Sequence, residues 1–195
     1  MVKKNFLIAE AGINHNGNLR EALNLVDAAK KCGANAIKFQ TYITEKRTKK
    51  NSPIFKILKK CELPFSDFEV IKKYCDKKKI IFFSTPFDKE SVQFLNHLKV
   101  KLFKVASFDI SNFELLEEIS KTKKPTIIST GMASTQEITK TYNFFKKKKI
   151  EIALLHCVSS YPNSDKTSYL SNINYLKKKY NCKIGLSDHT NDIKV

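Results

Sequence analysis

Seven short apolar runs, each alternating with stretches of helical periodicity, recur along this chain of 195 residues. They lie at 6–9, 36–40, 80–84, 102–106, 126–129, 152–157 and 183–186. Runs this short, rich in Ile, Phe, Leu and Val, read as strands. Between the first two, Leu19, Ala22, Leu23, Val26 and Ala29 line one face of a helix over 19–31, with Asn18 as N-cap and Gly33 as stop. Further helices are predicted at 54–61, 66–77, 89–97, 112–121, 134–147 and 169–180, and 41–53 reads as a polar connection.

Alternation of this kind implies βαβ units and a parallel sheet whose strands are covered on both faces. A doubly wound α/β sheet would carry a glycine-rich phosphate turn after its first strand, and GINHNGN (12–18) does not fit G-x-G-x-x-G. The other closure, a (β/α)8 TIM-type barrel, spreads its chemistry over the C-terminal ends of many strands. Every run here ends that way: in Glu10, in Lys38-Phe39-Gln40-Thr41, in Ser84-Thr85-Pro86, in Lys104-Val105-Ala106-Ser107, in Ser129-Thr130-Gly131, in HCVSSY (156–161), and in Ser187-Asp188-His189. A lone lysine in a strand normally snorkels, and a lone Ser or Thr normally caps the next helix. Seven polar endings at one end of every strand go beyond those roles.

Lys38 and Lys104 sit inside or at the edge of apolar runs, where an ammonium is costly unless it meets an anion. Two lysines ringed by Ser and Thr hydroxyls suit a phosphorylated, carboxylated small molecule. Glu10 adds a carboxylate, and His189 a candidate metal ligand.

The net charge of +17 raises the question of nucleic acid. The lysines cluster at 30–31, 59–60, 72–73, 77–79, 123–124, 146–149 and 177–179, mostly at predicted helix ends, where cations complement the dipole. Without aromatic interleaving or a helix-turn-helix spacing, the reading is a solvated surface and no nucleic-acid partner. No apolar run approaches the ~20 residues of a membrane span, and the opening MVKKNFLIAEAGINHNG does not read as a secretory signal. No membrane association and a cytoplasmic location are therefore expected. Five cysteines without a CxxC pair read as reduced and mostly buried.

Seven ordered motifs carry a family resemblance: IAEAGINHNGN (8–18), IKFQT (37–41), FFSTPFD (82–88), FKVASFD (103–109), IISTGMAS (127–134), LLHCVSSYP (154–162) and IGLSDHT (184–190). Together they resemble the sialic acid synthase family, which makes N-acetylneuraminate or related nonulosonic acids from phosphoenolpyruvate and an N-acetylated hexose. The resemblance implies a divalent cation, Mn2+ or Mg2+, as cofactor and Lewis acid, and a homodimer for the full-length family. It assigns Lys38 and Lys104 to the carboxylate and phosphate of phosphoenolpyruvate, helped by Thr85, Ser107, Ser129 and Ser187. Glu10 would hold sugar hydroxyls or handle protons, Tyr161 would line the sugar site, and His189 would ligate the metal. Ser159 has a weaker claim on phosphate, standing where bacterial N-acetylneuraminate synthases can carry Asn. KVASFD is nearer to pseudaminic and legionaminic acid synthases and IAEAGINHNG to N-acetylneuraminate synthases, which leaves the sugar open.

The resemblance also sets an expectation for the end of the chain. The family's eighth strand, its second metal-binding histidine and an antifreeze-like domain would follow the SDH strand, so 1–195 is expected to be a barrel domain truncated after about seven strands. First and seventh strands would then keep unpaired edges. Such a chain reads either as a synthase barrel or as an inactive remnant that only binds anionic ligands.

Overall fold

The computed structural model describes residues 5–191, and its contacts divide the chain into two compact units, Met1–Lys101 and Leu102–Val195. In the first, β1 (Ile8–Gly12) is followed by α1 (Leu19–Lys31), β2 (Ala36–Thr41), α2 (Thr44–Arg47), α3 (Phe55–Cys61), α4 (Phe65–Lys78), β3 (Ile81–Pro86) and α5 (Lys89–His97). Its strands are parallel, in the order β1-β2-β3. In β2, consecutive residues Ala36, Ile37, Lys38 and Phe39 are all buried although they face opposite sides, which is why the strand reads as an unbroken apolar run. Phe39 packs against Phe82 at 5.7 Å and edge-on to Phe68 at 6.4 Å. Val26, Ile71 and Leu95 are among the fully buried contributions of α1, α4 and α5.

The second unit comprises β4 (Phe103–Val105), a 3-10 turn (Ser107–Asp109), α6 (Phe113–Lys121), β5 (Thr126–Ser129), α7 (Thr135–Lys147), β6 (Ile152–Cys157), a 3-10 turn (Asp165–Thr167), α8 (Ser171–Lys179) and β7 (Lys183–Ser187). The strands are again parallel, in the order β4-β5-β6-β7. Phe103, Leu116, Ile119, Ile128, Phe145 and Leu154 form its core, all at zero exposure. β7 is never fully buried along its length.

Local chemistry sets the helix ends. Asn18 accepts the Glu21 N–H, and Asp88 accepts the Ser91 N–H at 2.7 Å. Ser134 and Glu137 make a reciprocal capping box at α7. At their C-termini α4, α5 and α7 turn alike: Lys79, Lys99 and Lys149 take left-handed φ angles of 55°, 56° and 57°. The next N–H then reaches back into the helix, Ile80 to Cys75, Val100 to Leu95 and Ile150 to Phe145. This is the Schellman arrangement, with a buried apolar residue after the turn. Lysine at the left-handed position costs on the order of 1 kcal/mol relative to glycine, and a cation beside a helix C-terminus returns about 0.3–1 kcal/mol.

Two expectations shift. The first strand, read at 6–9, starts at Ile8 and continues through Gly12, leaving Phe6 and Leu7 exposed. The cause is pairing: Leu7 O accepts from Asn35 and Ala36 at the sheet entrance, and the parallel register then carries β1 past Glu10 through a bulge. Within 41–53, α2 was not visible as a helix. Its TEKR sequence has no apolar face, and Asp88 and Glu62 hold its start from a distance by accepting the Ile43 and Thr44 N–H groups. Cys61, Cys75 and Cys157 are buried, Cys182 is intermediate and Cys32 is exposed, all as free thiols.

Candidate active site

In the first unit, the strand register brings three expected residues together. Glu10 and Lys38 are direct partners across β1 and β2, and Thr85 is the penultimate residue of the neighbouring strand. The buried Lys38 ammonium donates to Glu10 Oε1 at 2.9 Å and to Thr85 Oγ1 at 3.1 Å, and lies 2.7 Å from Glu10 Oε2. Thus the anion demanded by a lysine inside an apolar run is supplied by the chain itself. The Glu10 side chain is 54% exposed, so this carboxylate bridges the buried ammonium and solvent.

Gly12 lets that arrangement form. It has φ +54°, and a Cβ there would come within 3.2 Å of Glu10 Oε1 and 3.8 Å of Gln40 Nε2. Gln40 follows Lys38 on the same strand face, and its side-chain Oε1 accepts from Arg47 Nη1 at 3.1 Å. Arg47 in turn lies over the Phe87 and Tyr42 rings, 3.7 and 4.6 Å from their centroids. His15, in the turn after β1, is buried beside Phe39. Burial holds its pKa below the ordinary 6.5.

In the second unit, Lys104 of β4 is buried and donates to Ser129 Oγ at 2.5 Å and to the Val105 carbonyl at 2.7 Å. Ser107 and Ser159 share a hydrogen bond of 3.2 Å between their hydroxyls. Tyr161, Ser187 and His189 form a third group, with the Tyr161 hydroxyl 3.0 Å and Ser187 Oγ 3.3 Å from His189 Nε2. The Tyr161 and His189 rings lie 4.1 Å apart. His189 Nδ1 is 2.6 Å from the Val158 carbonyl. A carbonyl only accepts, so Nδ1 carries a proton, and in the neutral ring Nε2 then keeps its lone pair.

That tautomer suits ligation of a cation through Nε2. Among the described residues no three His, Cys, Asp or Glu side chains gather into a metal site, so they fit one ligand of a coordination set.

Sequence reasoning missed the residues that hold this group. The Asn163 N–H donates to the His189 carbonyl at 2.8 Å, and Asn163 Nδ2 to Ser168 Oγ. Buried His156 is bound through Nε2 to the Ser168 carbonyl, so it is a scaffold residue. Gly131 fits against the end of β6, its N–H donating to Cys157 Sγ at 3.2 Å. Gln40 and Arg47 were likewise unassigned; the position of Gln40, two residues after Lys38 on a strand, was the available signal.

A profile of the NeuB family matches residues 25–195. The pseudaminic acid synthase of Campylobacter jejuni is 36% identical over 203 residues, covering 96% of this chain and 59% of that protein. The N,N'-diacetyllegionaminic acid synthase of the same species is 36% identical over 211 residues, covering 100% and 63%. Among solved structures, the N-acetylneuraminic acid (sialic acid) synthetase of Leptospira borgpetersenii, in complex with citrate, matches with a TM-score of 0.96 at 43% identity, covering 98% of this chain and 67% of that one. A truncated 3-deoxy-D-arabino-heptulosonate 7-phosphate synthase from Thermotoga maritima shares the fold at 12% identity and a TM-score of 0.69. The fold class is thus α/β of the barrel type, carried through seven strands. The chain spans little more than half the length of the curated relatives it matches. No helix among the described residues is long and apolar enough to cross a membrane.

Proposed function

The chain belongs to the NeuB family, and on that premise we propose that it carries the catalytic barrel of a nonulosonic acid synthase that condenses phosphoenolpyruvate with an N-acetylated hexose. In the proposed reaction C3 of phosphoenolpyruvate bonds to the sugar aldehyde carbon, water adds at C2, and phosphate leaves with cleavage of its C–O bond. The observation that carries the reading is a pair of buried ammonium groups on strands, Lys38 of β2 on Glu10 and Thr85, and Lys104 of β4 on Ser129.

Each ammonium is already fixed by hydrogen bonds within its own unit, so binding an anion costs little further ordering. Lys38 and Lys104 are proposed to meet the carboxylate and phosphate, with Thr85, Ser107, Ser129, Ser159 and Ser187 sharing the remaining oxygens. Half-exposed Glu10 offers acceptors to sugar hydroxyls and a base for proton movement, while its contact with Lys38 keeps the ammonium oriented. Tyr161 lines the sugar region. A divalent cation, Mn2+ or Mg2+, is part of the proposal, with His189 Nε2 as a ligand; when bound it supplies Lewis-acid polarisation of the aldehyde. A cytoplasmic setting and a homodimer, as the family resemblance implies, belong to the same proposal.

Two sugars have equal support, N-acetylmannosamine and the diacetamido sugars of pseudaminic and legionaminic acid synthesis, because relatives of both kinds match at similar identity. The test is phosphate release from phosphoenolpyruvate with Mn2+ and each sugar in parallel, against Lys38→Ala and Lys104→Ala proteins. Sugar-dependent release that either substitution lowers by 100-fold or more, about 2.7 kcal/mol of barrel-derived stabilisation, supports the reading. Release absent with every sugar, alongside retained phosphoenolpyruvate binding, leaves the anion-binding remnant in its place.

A further inference from the structure

The first unit contains a cavity of about 320 Å³ that the proposed chemistry does not use. It opens at the start of β3, beside Ile80, Ile81 and Phe82. Thr85 lies four residues further along the same strand, roughly 13 Å away at the rise of an extended chain. The cavity is therefore separate from the Lys38 cluster.

Its walls are strongly basic. Lys72, Lys79, Lys99 and Lys101 line it against a single carboxylate, Asp76, and four positive charges less one leave a formal +3. Asp76 is engaged with Lys72 at 2.5 Å. Among the described residues, Lys79, Lys99 and Lys101 have no carboxylate within ion-pair distance. Two of the lysines come from separate Schellman turns, Lys79 after α4 and Lys99 after α5, so the fold itself brings them to one place. The helix carbonyls at those turns are engaged by main-chain N–H groups, Cys75 O and Asp76 O by Ile80 and Lys79, and Leu95 O and Asn96 O by Val100 and Lys99, while the Lys79 carbonyl accepts from Lys30 Nζ at 3.1 Å. By contrast, a second cavity, beside Ile152 and Lys183, sets Lys146 and Lys183 against Glu151, a formal +1, and its Lys183 is bound to Glu151 at 2.7 Å.

We propose that this cavity is a second anion site, built to take a compact phosphorylated metabolite of the diphosphate class. Its volume lies at the lower end of the range for small-molecule pockets. Three uncommitted ammonium groups from three chain positions match a ligand carrying two or three negative charges at two phosphorus centres. Ile81 and Phe82 give the cavity an apolar floor beneath the exposed Lys79, Lys99 and Lys101. Scattered surface lysines have neither feature.

The test is a titration of the full chain, isotopically labelled, with inorganic pyrophosphate, followed by amide NMR. Saturable shifts are expected at Lys79, Ile81, Lys99 and Lys101. A Lys99→Asn, Lys101→Gln protein, in which Asn keeps the left-handed turn, should bind roughly tenfold more weakly, and Lys38→Met should leave these shifts unchanged. A response that grows without saturating over all the lysine-rich turns, or one indifferent to the double substitution, overturns the proposal. So does loss of the shifts in Lys38→Met, because the ligand would then belong to the other site.

Discussion

Gly131→Ala isolates one close approach on which the second unit depends. A Cβ at Gly131 would stand 2.6 Å from both the carbonyl oxygen and Sγ of Cys157, and 2.9 Å from Ser159 Oγ. The sulfur and hydroxyl can rotate, but the carbonyl belongs to β6 and moves only with the strand. Gly131 is outside the left-handed region, so no conformational strain enters and the cost is the contact alone. Overpacking of this kind costs roughly 1–3 kcal/mol, which for a chain of this size is a fall in Tm of about 2–12 °C. Urea titration followed by circular dichroism reads it out, with Gly33→Ala beside it. Gly33 has φ +78° and nothing within 4 Å of its would-be Cβ, so it reports backbone strain without a clash, on the order of 1 kcal/mol. Gly185→Ala meets only the Leu155 Cδ2 methyl, at 2.8 Å, a group that can turn aside. A Gly131→Ala protein within about 0.5 kcal/mol of its parent would refute the reasoning, because Cys157 would then have had room to give.

Three further outcomes follow from the same geometry. The pKa of His15 is lowered by burial, so as pH falls below 6.5 the unfolded chain takes up a proton that the folded form resists. Stability should decline in that window, until pH passes the folded value, and urea midpoints of His15→Gln should lack this share of the slope. Cys32 is exposed, whereas burial pushes the Cys75 thiol up to about 12; at mildly alkaline pH an aromatic disulfide reagent should label Cys32 quickly and Cys75 only after unfolding, as peptide mapping would record. Replacing Asn18 by Ala removes the acceptor for the Glu21 N–H and should lower stability by about 1 kcal/mol; an unchanged urea midpoint would mean the cap carries no weight.

The strands and long helices were legible because each carries its own signal. The helix read at 19–31 occurs with those ends, and Asn18 caps it. The four-residue α2 was not legible, since Glu62 and Asp88, which hold its start, lie 18 and 45 residues away from the groups they bind. The site divides similarly. Lys38 announced itself as a charge in an apolar run, but that its partner is Glu10 follows from strand register, which no local pattern encodes. The contact of Tyr161 with His189 spans 28 residues and depends on the loop between β6 and α8. Gly131 carried no signal, because its constraint comes from β6 atoms rather than from its own φ.

The hydrogen bond between His189 and Val158 makes the imidazole tautomer a property of chain path. The acceptor is a main-chain carbonyl, an atom every residue type possesses, so side-chain replacement at position 158 cannot delete it. Point substitutions there can alter packing while the ring keeps its lone pair on Nε2; an insertion or deletion in the loop after β6, which moves the carbonyl itself, would turn the ring. In this protein the heritable record of that nitrogen's chemistry is loop length, and a directed-evolution library built only from substitutions would leave it untouched.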